Sequence, residues 1–243
     1  MAISYNTIAS NSTPAHPLAI NPGATLHDVL ITGVVTDTTS TGSPFAETGF
    51  DQIALQSITI DGQNLAVLRK KDATGSEGSL NISDPSSAAM IGFTMAISGA
   101  DNTTPENVIS VEVSNNTADP APAVIDGTIV PTTNGCMIVA VMGIDALSSA
   151  DDPVAAFSTI TGTTGAWTVR GDYHNGFYNI AVATCVQATA GSITVRGQVS
   201  SMAGNAGRSM VLIAIKPAAA GGGITTPPLP KIIPQAVHRA ASF

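Results

Sequence analysis

Apolar residues recur at every second position through most of this chain, and runs with helical spacing barely appear. A period of two places successive side chains on opposite faces of an extended strand, so the pattern commits the chain to β-structure. The first half predicts strands over residues 29–35, 53–60, 64–70, 79–83, 90–98 and 108–114. The second predicts strands over 124–125, 128–130, 137–143, 166–172, 177–186, 192–199 and 210–216. Between such runs stand Asp61-Gly62, Asp126-Gly127 and Asn175-Gly176, pairs that accept the positive φ angles of tight hairpin turns. About a dozen short strands at this spacing predict an all-β fold, an antiparallel β-sandwich of jelly-roll-like type.

The two halves resemble each other. ITIDGQNLAVLRKKDATGSEGSLNIS in the first is echoed by DYHNGFYNIAVATCVQATAGSITVRG in the second. Asn64 aligns with Asn179, Asp72-Ala-Thr with Gln187-Ala-Thr, and the strand after Gly78 with that after Gly191. The unit, about 115 residues, is too long for a solenoid repeat. The organisation read from this is an N-terminal segment 1–16, a β-sandwich over 17–217 with halves near 17–100 and 124–217, and an arm over 218–243. Two tandem sandwiches would fit the repeat too. We favour one domain, because the segment bridging the halves contains its own strand-like run, VISVEVS.

Composition narrows the function. The chain is 44% hydrophobic but only 11% charged, against about 25% in ordinary soluble domains. A net charge of −8 with nine Lys and Arg gives no basic stripe for nucleic acid. No stretch approaches the ~18 apolar residues of a membrane span, and MAISYNTIASNST has neither the basic nor the apolar part of a secretory leader. Cys136 and Cys185 lie in apolar strand-like runs and lack metal-ligand spacing, so they read as buried free thiols of a chain made in a reducing cytoplasm.

Reaction chemistry is hard to find. His16, His27, His174 and His238 stand apart from other strong ligands, and His27-Asp28 and Asp172-Tyr173-His174 read as solvated loop residues. No nucleophile elbow, phosphate loop or zinc motif occurs. Asp145, Asp151 and Asp152 form one acidic group, read as a solvated loop because it lacks the spacing of a calcium loop. No catalytic residue, metal ligand or cofactor is therefore expected. Trp167, Tyr173, Phe177 and Tyr178 cluster about one hairpin. They read first as cross-strand core packing and second as a sugar-stacking platform.

After Lys216-Pro217 the chain changes character. AAAGGG is a flexible hinge and TTPPLPKIIPQ a polyproline-like spacer. A solvated tail is one reading. The other is an assembly arm that docks on a neighbour through Pro227, Pro228, Leu229, Ile232, Ile233, Val237 and Phe243.

The stretches LHDVLITGVV, GFDQIAL, LAVLRKKDATGSEGSLNIS and AAMIGFTMAISGADNTTP, closing on IAIKPAA, resemble in kind and order a group of bacteriophage virion structural proteins. Phe50 stands where those proteins usually have Trp, and Gly165-Ala166-Trp167 is one residue longer than the pattern. The resemblance implies a non-enzymatic virion component made in the host bacterial cytoplasm, a head decoration (cement) protein or an exterior attachment of similar kind. Its implied partners are other virion proteins, major capsid protein or fibre and collar proteins, and further copies of itself. The alternative it leaves open is a receptor- or carbohydrate-binding module of a tail or head fibre.

Overall fold

The computed structural model describes residues 2–36, 45–58, 62–84, 86–114, 123–145, 155–175, 178–199 and 207–219. Among them the regular structure is all strand, and no helix is long and apolar enough to cross a membrane. The first half supplies β1 (Ser4–Ala15), β2 (Leu18–Ile20), β3 (Val29–Thr36), β4 (Asp51–Ile58), β5 (Gln63–Lys70), β6 (Leu80–Ile82) and β7 (Met90–Ser98). Then follow β8 (Glu106–Ser114), β9 (Ala123–Ile129), β10 (Cys136–Asp145) and β11 (Ala155–Thr161). The last are β12 (Thr168–His174), β13 (Tyr178–Gln187), β14 (Ile193–Val199) and β15 (Arg208–Ile215).

Two five-stranded antiparallel sheets form the centre. One has the order β1-β7-β3-β5-β4; the other, read from its β8 edge, is β8-β15-β10-β13-β12. The orders correspond strand for strand, with β8 in the place of β1, β10 in that of β3 and β15 in that of β7. The sheets face each other across one core, where Ile31, Leu65, Phe93 and Ile97 meet Val139, Val141, Ile180 and Ile213. Each sheet also buries its outer face. The pair β2-β6 covers the first through Leu18, Ile20 and Ile82, and the three-stranded sheet β11-β14-β9 covers the second through Ile125, Ile193 and Val195. The expected alternation of apolar and polar positions gives way in the central strands, because covering on both faces buries β3, β5, β7, β10, β13 and β15 almost end to end and most of their positions are apolar.

Two glycines make room in the core, Gly33 for the ring of its β7 partner Phe93 and Gly143 for side chains of the facing sheet. A Cβ on Gly33 would sit 2.5 Å from the Phe93 ring, and one on Gly143 would press on Val35 and Leu65 at 3.1 and 3.2 Å. Polar ties cross the same gap. Gln63 donates to the Ile144 carbonyl at 2.9 Å, and Arg69 on β5 pairs with Glu106 on β8. Arg170 on β12 lies 4.3 Å over the Tyr5 ring of β1. The ends of β7 and β15 are stitched by the Ala100–Pro217 bridge and by Ala218 N–H donating to the Gly99 carbonyl at 2.8 Å.

Three sequence expectations are corrected. Residues 1–16, expected as a segment ahead of the sandwich, hold β1, the outer strand of the first sheet; its mixed Ser, Asn and Thr suit an edge that is half in solvent. The run 108–114, expected as part of a bridge, belongs to β8, the outer strand of the second sheet. Asp126-Gly127 makes no turn but lies within a continuous β9, paired to Arg196 and Val195 of β14. Gly127 is needed there for packing, since a Cβ would come within 2.8 Å of Glu112 and 2.9 Å of Met210.

Candidate functional site

Three loops meet where the second sheet's strand β10 begins: residues 130–135 before it, 162–167 between β11 and β12, and 188–192 between β13 and β14. Backbone and amide bonds hold them together. Gly191 N–H donates to the Pro131 carbonyl at 2.9 Å, Ala190 N–H to Asn134 Oδ1 at 2.7 Å, and Gly165 N–H to the Val186 carbonyl at 2.8 Å. Gly162 takes φ +86°, and a Cβ there would meet the Ser192 carbonyl at 2.5 Å, so only glycine closes this approach.

Between the loops lies a pocket of about 330 Å³, with Thr163, Thr164 and Gly165 on one side and residues 187–192 on the other. None of its lining residues is charged. Gln187 is 2% exposed; its Nε2 donates to the Gly191 carbonyl at 2.9 Å, while its Oε1 is buried without a hydrogen-bond partner among the described residues. The Thr164 hydroxyl lies 2.7 Å from that of Thr159, which accepts the indole N–H of Trp167 at 2.9 Å. Below the pocket, burial pushes the Cys185 thiol up to about 12, a rise that its hydrogen bond with Thr164 only partly opposes.

The aromatic residues expected as one cluster are divided by a bulge between Val169 and Gly171, which turns the rest of β12 over relative to Trp167. Trp167 stacks on Phe157 at 6.1 Å and packs on the core beneath the three-stranded sheet. Tyr173 and Tyr178 point the other way, into the core between the two five-stranded sheets, where burial raises the Tyr173 phenol against a hydrogen bond from Ser10. Phe177 lies outside the described residues. The three described rings therefore share no surface on which a sugar would stack.

The histidines and carboxylates act as fasteners. Asp28, 2% exposed, accepts hydrogen bonds from Asn6, from Ser98 and from both the amide and hydroxyl of Thr25. His27 pairs with Asp72 at 2.8 Å, and Asn102 joins the same carboxylate at 3.1 Å. The hydrogen bond from His27 is the main cause that holds the Asp72 carboxyl below the usual range. His16 is bonded to the backbone of Asp84, and His174 sits exposed at the end of β12. A second pocket of about 390 Å³ lies beside His27, walled by Leu26, Ala100 and Ala218. Among the described residues no three His, Cys, Asp or Glu side chains converge in a metal-holding group. The side chain of Asp145, with Asp151, Asp152, His238 and all seven arm residues from Pro227 to Phe243, lies outside the described residues.

The chain has no significant match among protein-family models, curated proteins or solved structures.

Proposed function

We propose that this chain is a non-enzymatic structural component of a bacteriophage virion, attached to the particle exterior as a head decoration or cement protein and working as a homo-oligomer among other virion proteins. The observation that carries the reading is the chemistry of two outer strands. β1 runs for twelve residues and β11 for seven, each at the end of its sheet, and neither contains Lys, Arg, Asp, Glu or His. Monomeric proteins usually protect such edges with charge, because unpaired N–H and C=O groups recruit other chains. Uncharged edges suit a protein that spends its working life against neighbours.

Other features support the same reading. The stretches that resemble virion proteins fall on β3, β4, β5, β7 and β15 of the paired sheets and on β6 of the cover. We read the matching strand orders as a duplicated unit forming one sandwich-like body. Each shifted carboxylate serves as a loop or strand fastener and is held below its ordinary value, whereas a general acid at neutral pH needs a raised one. Ala218 is tied to Gly99 in the body, and the Gly/Pro-rich segment from Gly221 onward then serves as an arm laid on a neighbouring subunit, anchored by Ile232, Ile233, Val237 and Phe243.

Counting and placing the protein in purified particles by electron cryo-microscopy, alongside a chain truncated after Ala220, tests this. High copy number on the head, a folded truncated chain and loss of its incorporation are the expected results. Absence from particles, or wild-type incorporation without residues 221–243, overturns the reading or its arm, respectively.

A further inference from the structure

We propose that the apolar pocket beside Leu26 receives Ile232 and Ile233 from the C-terminal segment of a second copy, joining copies head to tail. This rests on that segment acting as an arm, and it names what the arm grips. The pocket, about 390 Å³, opens between the turn before β3 and the stretch that follows β7, with Leu26, Ala100 and Ala218 as its aliphatic wall. Leu26 is 61% exposed, the highest value among the large hydrophobics of the described residues. The backbone sets its place: His27 takes φ +68° and donates its N–H to the Ala73 carbonyl at 2.8 Å, while Leu26 bridges to Thr74. A leucine held at the lip of an aliphatic pocket leaves water when a second apolar group covers both. The pockets at residues 163–165 and at Glu47 have no Leu, Ile, Val, Met or aromatic residue in their walls.

Length selects the donor. Ala218 lines the pocket and Ala219 is the last described residue, so the segment begins at the site itself. Thirteen residues lead from Ala219 to Ile232, and extended at about 3.1 Å each they reach about 40 Å. A body of about 220 residues has a radius of gyration of about 17 Å and is about 44 Å across. The reach thus matches the spacing of equivalent pockets on copies set side by side. Return to the chain's own pocket is opposed. Gly221–Gly223 permit a reversal, but the nine residues from Ile224 to Ile232 then carry the isoleucines about 28 Å beyond it. Pro227, Pro228 and Pro230 stiffen that run against a second reversal.

Charge favours the encounter. Beyond Ala219 lie two of the nine Lys and Arg residues, Lys231 and Arg239, and none of the seventeen Asp and Glu. The segment therefore carries +2 and the rest of the chain −10, which draws an arm toward another copy's body. Lys231 immediately precedes the isoleucines. Asp72, 54% exposed, is fastened to the pocket-lining His27 and Asn102 and offers it a carboxylate at the rim. Arm and pocket are different surfaces, so the contact is heterologous and closes rings or runs on as chains.

Sedimentation equilibrium of the full-length chain at concentrations up to about 100 µM tests this, beside Leu26→Asp and the double variant Ile232→Asp with Ile233→Asp. Leu26 is exposed, so its change is expected to leave the fold intact, and Leu26→Gln takes its place if melting shows otherwise. The wild type is expected to self-associate, and each variant to do so at least about tenfold more weakly. Mixed one to one, the two variants supply one intact pocket and one intact arm, and they are expected to form a dimer and nothing larger. A wild type that stays monomeric, undiminished association of a folded Leu26 variant, or a mixture that gives no dimer overturns the proposal. Loss of association in the isoleucine variant alone removes the pocket and leaves the arm. Counting copies in particles tests the virion reading separately.

Discussion

Arg69 and Glu106 tie one five-stranded sheet to the other: the guanidinium at the end of β5 donates through Nη1 to the carboxylate at the start of β8. Its Nη2 takes Asp51 on the neighbouring strand β4. The Arg69 side chain is 9% exposed and that of Glu106 15%, so the pair sits largely out of water, whereas Asp51 at 66% is screened. Removing one member of a buried pair strands the other charge. Glu106→Ala is expected to lower stability by about 3 kcal/mol, the lower end of the usual cost because Asp51 stays engaged. Arg69→Met combined with Glu106→Met should cost less than the single change. Urea unfolding of the three variants checks the order; a neutral Glu106→Ala would show the tie to be idle.

Gly33 makes the space in which the ring of its β7 partner Phe93 lies within the core. An alanine methyl would lie 2.5 and 2.8 Å from two atoms of the Phe93 ring and 3.1 Å from Ile180. Phe93 is fully buried, so the ring has no free space to turn into. Gly33→Ala is expected to cost about 1–3 kcal/mol through overpacking. Adding Phe93→Leu should recover part of the loss, which a double-mutant cycle by thermal melting would detect. Additive losses would place the strain elsewhere.

The central strands were readable because their apolar runs are continuous: residues 90–98 were expected as a strand and are β7 to the residue, and 29–35, 64–70 and 137–143 fall within a residue or two of β3, β5 and β10. Strands at the margins hid for a physical reason. β1 and β11 bury only part of each face, so SYNTIASNSTPA and AAFSTIT show weak alternation and look like polar connections. Asp126-Gly127 looked like a turn, but its glycine answers to Glu112 and Met210 packed above it and its aspartate to Arg196, which bonds it at 2.7 and 2.8 Å. The aromatic hairpin was placed correctly in the chain, yet neighbouring strands and a bulge between Val169 and Gly171 decide which way each ring turns. The loop pocket was not legible at all. Gln187 beside it is buried only because folding closes the loops over it, and a glutamine among alanines and threonines gives no signal.

Asp28 makes the fold sensitive to acid. Burial by itself pushes its carboxyl up, but hydrogen bonds from Ser98, Thr25 and Asn6 together outweigh burial and hold it below its ordinary value. A depressed folded value means stability that is present above the unfolded value of about 3.9 and lost as pH falls through the folded one. Asp28→Asn should cost about 2 kcal/mol at neutral pH, since hydrogen bonds to a charged acceptor are lost. It should also flatten the acid side of the stability profile. Urea midpoints measured from pH 7 downward check this, and an unchanged acid slope would assign the sensitivity to other carboxylates.

Cys136 and Cys185 set the opposite, alkaline limit. Both side chains belong to the core between the second five-stranded sheet and its three-stranded cover. Cys136 stands opposite Gln187 and Cys185 opposite Ile138, which makes the two cysteines diagonal neighbours rather than a facing pair. Diagonal positions are about 7–8 Å apart, beyond the reach of an unstrained disulfide, and both thiols are free. Burial raises both, Cys185 to about 12. The unfolded thiol loses its proton near 8.5, so the stabilisation is complete below that pH and declines as pH rises toward 12. Iodoacetamide at pH 8 should leave the native protein unmodified and add to both cysteines once denaturant is present. Melting temperature should fall between pH 9 and pH 11, and fall less in Cys185→Ser at the expense of a lower starting stability. Intact-mass analysis and a pH series of melts read both effects; native alkylation at Cys185, or a mass lowered by the hydrogens of a disulfide, would contradict the buried-thiol arrangement.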